Sequence, residues 1–297
     1  MNRLDASTRR QIVACLVEGN SIRATCRMTG AAKGTVLKLL VDLGSVCLAN
    51  HDKAVRNVHS RRVQCDEIWA FCHAKDKNLP DSMKDQPGVG SVWTWTAIDA
   101  DSKLIIGYHV GTRDADCGNE FMLDVAARLA GRVQMTTDGL KIYLEAVEGA
   151  FGADIDYAML IKQYGATSNE SPEARYSPGS CIGAEIRPIT GSPNLKHVNT
   201  SYVERQNLTM RMSMRRFTRL TNGFSKKVSN LEHAIAIHFL HYNFARIHQT
   251  LRVTPAMEAG IADHVWSIDE IVALLDEGEE TARDVSARRR DRKVGDA

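Results

Sequence analysis

Asp66 stands in the middle of a run that otherwise reads as a β-strand, Arg62-Val63-Gln64-Cys65-Asp66-Glu67-Ile68-Trp69. Aspartate is disfavoured in strands, and a carboxylate is costly to bury without a partner. A sheet built on this run has to place the acid where something offsets its charge. Two other acids occupy comparable settings. Asp138 ends a second apolar run, Val133-Gln134-Met135-Thr136-Thr137-Asp138-Gly139, and Glu204 lies early in a helical stretch, Tyr202-Val203-Glu204-Arg205-Gln206-Asn207. Brought together, the three would repel one another and raise each other's pKa. A divalent cation resolves both problems, and hard oxygen ligands suit Mg²⁺ or Mn²⁺. Two such ions can clamp the attacking and leaving oxygens of a phosphodiester. Taken singly, each acid also reads as a surface residue, and Asp138-Gly139 as a turn. Glu67 competes with Asp66: alternation sends the two to opposite faces, and the sequence does not choose between them.

The order of elements around these acids defines the expected fold. Residues 63–71, 91–98 and 104–110 read as three strands joined by short connections, with Asp99-Ala100-Asp101-Ser102 as turn chemistry. A helix over 114–130 follows, with Phe121, Met122, Val125, Ala126 and Leu129 on one face. A strand at 133–137, a helix at 141–151, a strand at 156–163 and a long late helix complete the series. The expected class is mixed α/β: an N-terminal helix-turn-helix, then a ribonuclease-H-like mixed sheet flanked by helices. The expected domains are residues 1–43 (helix-turn-helix), 44–61 (linker) and 62–248 (catalytic). Residues 249–275 form a helical extension and 276–297 a charged, disordered tail. Residues 165–199 break the pattern with Pro172, Pro178, Pro188 and Pro193, and are expected to form a long inserted loop.

Thr8 to Leu43 reads as three short helices. Ser21 can cap the second, and Gly30 permits a tight turn. Cys26, Gly30 and Val36 fit helix-turn-helix spacing, which would leave Lys33, Thr35 and Lys38 on the exposed side of a recognition helix. A plain three-helix bundle fits the same pattern. A second basic signal follows Glu204: Arg205, Arg211, Arg215, Arg216, Arg219, Lys226 and Lys227 occur with no acid until Glu232. Arg211, Arg215 and Arg219 are spaced by four, so a continuing helix would put them on one face able to hold phosphates. The alternative is a solvated helix face. His233, His238, His241 and His248 lie on one expected helix over 230–248, among aromatics that suit packing better than zinc. His197 is the histidine best placed by sequence to touch a phosphate.

Net charge is only +2, so the distribution of charge says more about partners than its total. The seven cysteines are scattered and form no C-x-x-C pair, as expected of reduced thiols in a cytoplasm. No apolar run approaches the roughly 20 residues of a membrane helix, and the N-terminus lacks a signal-peptide core.

Several of these motifs resemble transposases of the insertion sequence one family. They are Asp66-Glu67-Ile68-Trp69 with Ala74-Lys75, then Thr137-Asp138-Gly139, then Ser201-Tyr202-Val203-Glu204-Arg205-Gln206-Asn207. Arg215-Arg216-Phe217-Thr218-Arg219, Phe224-Ser225-Lys226-Lys227, Tyr242-Asn243-Phe244-Ala245-Arg246-Ile247-His248 and Thr254-Pro255-Ala256 follow in order. The resemblance spans residues 62–272. It implies that Asp66, Asp138 and Glu204 form a DDE triad holding two Mg²⁺ or Mn²⁺ ions, with Arg211 as the basic residue seven positions after the glutamate. It implies DNA as partner, both terminal inverted repeats and target, a homo-oligomer on DNA, and a cytoplasmic, nucleoid-associated protein without membrane or small-molecule substrate. Shorter family members begin with a cysteine-bearing segment that this chain lacks, and its insertion before Glu204 is longer. The rival expectations are a structure-specific nuclease on the same fold and a non-catalytic DNA-binding regulator.

Overall fold

The computed structural model describes residues 4–84, 86–165, 181–218 and 221–277. The chain divides into two units, one of Met1–Val55, Ala70–Val92 and Thr209–Ala297, the other of Arg56–Trp69 and Trp93–Leu208. No helix among the described residues is long and apolar enough to cross a membrane.

The second unit carries most of a six-stranded mixed sheet. Its strands are β1 (Arg62–Cys72), β2 (Gly90–Asp99), β3 (Ile105–Gly111), β4 (Gln134–Thr137), β5 (Asp156–Tyr164) and β6 (Cys181–Thr190). The spatial order is β3-β2-β1-β4-β5-β6. β2 and β3 run antiparallel, β1 is parallel to β4 and β4 to β5, and β6 returns antiparallel to β5. Helices α4 (Ala115–Arg128) and α5 (Ile142–Phe151) make the two crossovers that parallel strands require. Trp95, fully buried on β2, meets Phe121 of α4 and the edge of Tyr143 of α5 at ring-centroid distances of 6.0 and 5.5 Å. The element order is that expected of a ribonuclease-H-like sheet, with one addition.

The addition is β6, which lies inside the stretch expected to be a loop. Nearly all its residues are exposed, so it has no buried face and no apolar–polar alternation to read. Pro188, which argued against a strand, is tolerated because β6 is at the edge, where a missing donor breaks no second ladder. Residues 166–180 of the expected insertion lie outside the described residues, as do Arg219 and residues 278–297 of the expected tail.

The first unit contains α1 (Ala6–Val17), α2 (Ile22–Thr29), α3 (Lys33–Ala54) and α7 (Val228–Leu240). Asp5 caps α1 by accepting from the Thr8 amide at 2.8 Å, Ser21 caps α2, and Gly30 ends α2 at φ +73°. The third helix does not stop at Leu43. It continues through Gly44 to Ala54, so most of the expected linker is helical. Leu40, Leu43, Gly44, Cys47 and His51 continue one buried stripe at helical spacing, masked in the sequence by polar Asn50, Asp52 and Lys53. Gly44 is where α3 crosses α7: a Cβ there would lie 2.3 Å from Cβ of His233.

Two late helices are also shorter than the sequence suggests. Helix α6 spans Ser201–Ser213, its last residues belonging to the first unit. The chain then turns to bury Met214 and Phe217, so Arg215 is off the helix and does not share a face with Arg211. α7 ends at Leu240 and widens into a π-helical turn, His241–Ala245, with the Arg246 amide bonded back to the His241 carbonyl. The wider turn buries three consecutive side chains, Tyr242, Asn243 and Phe244, which an α-helix would spread around its circumference. A short helix α8 (Pro255–Glu258) and a helix over 268–277 follow.

Gly44→Ala is expected to lower stability by about 1–3 kcal/mol, although alanine is the better helix former, because the added methyl forces α3 and α7 apart. Chemical denaturation of both proteins checks this; an unchanged or higher midpoint would show that the crossing has room.

Candidate active site

Strand register sets the geometry of the acids. The β1–β4 ladder pairs Arg62, Val63, Gln64 and Cys65 with Gln134, Met135, Thr136 and Thr137. Asp66 and Asp138 are the next residues on each strand, side by side where the ladder ends. Asp66 Oδ1 accepts from the Glu67 amide at 2.9 Å, and Asp138 Oδ1 from the Leu140 amide at 3.0 Å.

Helix α6 is fixed over this point by Gln64. Its Oε1 accepts from the amides of Tyr202 (2.9 Å) and Val203 (3.2 Å), two donors that a helix N-terminus otherwise leaves unmet. Its Nε2 donates to Asn199 Oδ1 at 2.6 Å, and the same oxygen accepts from the Ser201 hydroxyl at 2.8 Å. Gln64 and Asp66 are two residues apart and so share a face of β1. With α6 anchored by the first, Asn207 reaches the second: its Nδ2 donates to Asp66 Oδ2 at 2.8 Å.

Glu67 faces other partners. Arg113 Nε donates to its Oε1 at 2.8 Å, and the Tyr143 hydroxyl to its Oε2 at 3.1 Å. Alternation therefore directs Asp66 toward α6 and Glu67 toward α5. Even so, one oxygen from each of Asp66, Glu67 and Asp138 lies within 4.8 Å of the others. Burial is the main cause of a raised pKa in all three; repulsion from Asp138 adds to it for Asp66 and Glu67, Arg113 opposes it at Asp138, and Asp66 is pushed up to about 7. Arg113 neutralises Glu67, whereas Asp66 and Asp138 form no ion pair among the described residues.

The third expected acid, Glu204, is placed differently. Its Oε1 is paired with Lys162 of β5 and accepts from the Thr200 hydroxyl at 2.6 Å. It is not one of the three clustered acids, but its charge contributes to raising both Asp66 and Asp138. His197 is held elsewhere, against Arg62 at the start of β1 with 3.0 Å between the nitrogens. His238 is buried and held neutral, its pKa depressed to about 3 by desolvation, which suits packing.

The basic residues separate into groups. Arg205 is exposed beside Glu204 in the second unit, while Arg211 lies in the first. Lys33 is exposed at the start of α3, Thr35 is half-buried, and exposed Lys38 is paired with Asp42. Lys33, Arg215, Arg216, Lys226 and Lys227 come together around one cavity of the first unit. Sequence reasoning missed Gln64, Asn207, Lys162, Arg113 and Tyr143. Asn207 had a usable signal, since it lies three positions after Glu204 on the same helix; the others are brought in by topology alone.

No family model and no curated protein matches the chain. Among solved structures it is similar to a piggyBac transposase synaptic complex with hairpin DNA, at 10% identity over 91% of this chain and 69% of that one, with a TM-score of 0.45. It is also similar to a pre-cleavage Mos1 transpososome (10% identity, 53% and 60% covered, TM-score 0.21). The Mos1 strand transfer complex gives 12% identity, 81% and 76% coverage and a TM-score of 0.23. Similarity at this level carries no argument about function; the geometry of the acids does.

Asp138→Asn keeps the acceptor that the Leu140 amide uses and removes one charge from the cluster. Without divalent cations it is expected to raise the melting temperature by about 2–4 °C. Mn²⁺ is expected to stabilise the wild type and not the variant. Calorimetry with and without the ion tests both; a lower melting point in the variant would contradict repulsion at this site.

Proposed function

We propose that the chain is a metal-dependent DNA strand-transfer enzyme, a DDE transposase that cuts at element ends and joins the freed 3′-hydroxyl to target DNA. The observation that carries this reading is a pair of carboxylates with no ion pair among the described residues, Asp66 and Asp138, side by side where the parallel β1–β4 ladder ends. Clustered acids whose pKa values are raised by burial and neighbouring carboxylates fit a divalent cation, and an all-oxygen donor set fits Mg²⁺ or Mn²⁺. Two such ions, when bound, supply a nucleophile at neutral pH and stabilise the leaving oxygen of a phosphodiester.

Asp66 and Asp138 are the residues that would hold the ions most directly. Glu204, on α6, is the third ligand once its carboxylate turns from Lys162. Asn207 and the Glu67 amide orient Asp66, so its free lone pairs are fixed in direction. Glu67, with Arg113 and Tyr143 on its two oxygens, is already engaged and is not a ligand in this reading. Arg205 offers an exposed cation next to Glu204 for a neighbouring phosphate. Helices α1–α3 are assigned to recognition of the terminal repeats, with Lys33, Thr35 and Lys38 on α3. Pairing two ends requires at least a dimer on DNA.

The test is a cleavage and joining assay with full-length protein, labelled duplexes from the DNA flanking its gene, and Mg²⁺ or Mn²⁺. Wild type is expected to nick the ends and join them to a target plasmid. Asp66→Asn and Asp138→Asn should each reduce this by about a thousandfold, equivalent to about 4 kcal/mol of transition-state stabilisation. Glu67→Gln should act mainly on stability. Nicking without joining would identify a structure-specific nuclease, and equal activity in the Asp138 variant would remove the acids from the chemistry.

A further inference from the structure

The cavity in the first unit has a volume of about 790 Å³ and is bordered by α1, α2, α3, residues 214–216 and 222–227, and α7. Six cationic side chains line it: Arg23, Lys33, Arg215, Arg216, Lys226 and Lys227. No aspartate or glutamate among the described residues does. The whole chain has 38 basic and 36 acidic residues, so six of one sign and none of the other is a strong local departure. None of the six forms an ion pair among the described residues, whereas other cations of this unit do: Arg9 with Asp276, Lys38 with Asp42. Like charges gathered without counter-charge destabilise a fold unless an anion joins them.

Two buried polar groups on the wall point the same way. The Ser225 hydroxyl, on a residue 3% exposed, and Nε2 of His238, on a residue 4% exposed, have no hydrogen-bond partner among the described residues. Both can donate, the histidine in one of its neutral tautomers. A buried donor without a partner is unfavourable by about 1–3 kcal/mol, and an acceptor on a ligand in the cavity would offset that. Half-buried Arg216 adds a guanidinium held down to about 10 by desolvation, a fork suited to paired oxygens. Leu16, Leu37, Leu40 and Ile237 give the wall an apolar part beside polar Asn20, Ser21, Asn222 and Asn230, and the volume exceeds that of a bare anion.

We propose that this cavity is a phosphate-binding site, seating the phosphate of a nucleotidyl group through Arg216, Ser225 and the surrounding lysines and arginines, with the attached sugar against the apolar wall. The phosphate comes either from a DNA backbone or from a free nucleotide. The site is separate from the acids of the second unit and does not depend on their chemistry.

The test uses the full chain without divalent metal, so its outcome is independent of the cleavage assay. Thermal unfolding is followed in inorganic phosphate, in deoxyadenosine monophosphate and in chloride at matched ionic strength. At about ten times the dissociation constant, phosphate should raise the wild-type melting temperature by about 2–4 °C over chloride. Arg216→Gln should abolish that rise. Because a variant of half-buried Arg216 can misfold, a second variant changes exposed side chains only: Arg23→Ala with Lys227→Ala should fold as wild type and bind phosphate at least about tenfold more weakly. Labelled duplex then identifies the source. Competition by phosphate, with a salt slope of duplex binding reduced by about 2 in the double variant, assigns the site to DNA backbone. Nucleotide binding with unchanged duplex affinity assigns it to free nucleotides, and either result upholds the site. No rise over chloride in the wild type, or a full rise in both variants, overturns it.

Discussion

Gln64 is the interaction on which the site depends. One amide side chain on β1 satisfies two orphan donors at the start of α6 and, through Asn199, the segment leading into it. Each such capping bond stabilises by about 1 kcal/mol, but the greater effect is geometric. It fixes which residues of α6 lie above which residues of β1. Asn207 meets Asp66, and Glu204 is brought near enough for its charge to act on both aspartates. Without that anchor the helix could slide along the sheet and the third acid would have no set position.

Charge is distributed within the site with the same economy. Of four acids, two are already balanced: Glu67 by Arg113, and Glu204 by Lys162. The remaining two are the ones that strand register alone holds together. A low-dielectric site does not tolerate two such neighbours in ionised form, which is why desolvation and repulsion both push Asp66 upward. The balanced acids limit how much repulsion the fold has to absorb, and they leave the positive charge a ligand must bring to be met chiefly by Asp66 and Asp138.

Much of this was legible in the sequence because strands and helices with one buried face announce their period. α4 and α5 have such faces, β1 to β5 are largely apolar runs, and the expected limits of all seven fall within a few residues of those observed. β6 escaped because an edge strand exposed on both sides has no period to announce. The length of α3 escaped for the opposite reason: a glycine and a polar cluster interrupt a stripe that tertiary contact with α7 makes continuous. In the site, the acids were conspicuous as carboxylates in apolar runs. Gln64 and Lys162 were not, because an uncharged amide or a lysine in a strand draws no attention until topology brings its partner beside it.

The sheet order has a consequence of its own. From β1 the chain builds outward in one direction through β2 and β3, and then returns to build in the other through β4 and β5. β4 ends at Thr137, where its ladder with β1 stops, while β1 runs on to Cys72, so the sheet steps down between its two central strands. Asp66 and Asp138 stand at that step. The location was decided by the winding of the backbone, and the chemistry had only to be written on the two residues that border it.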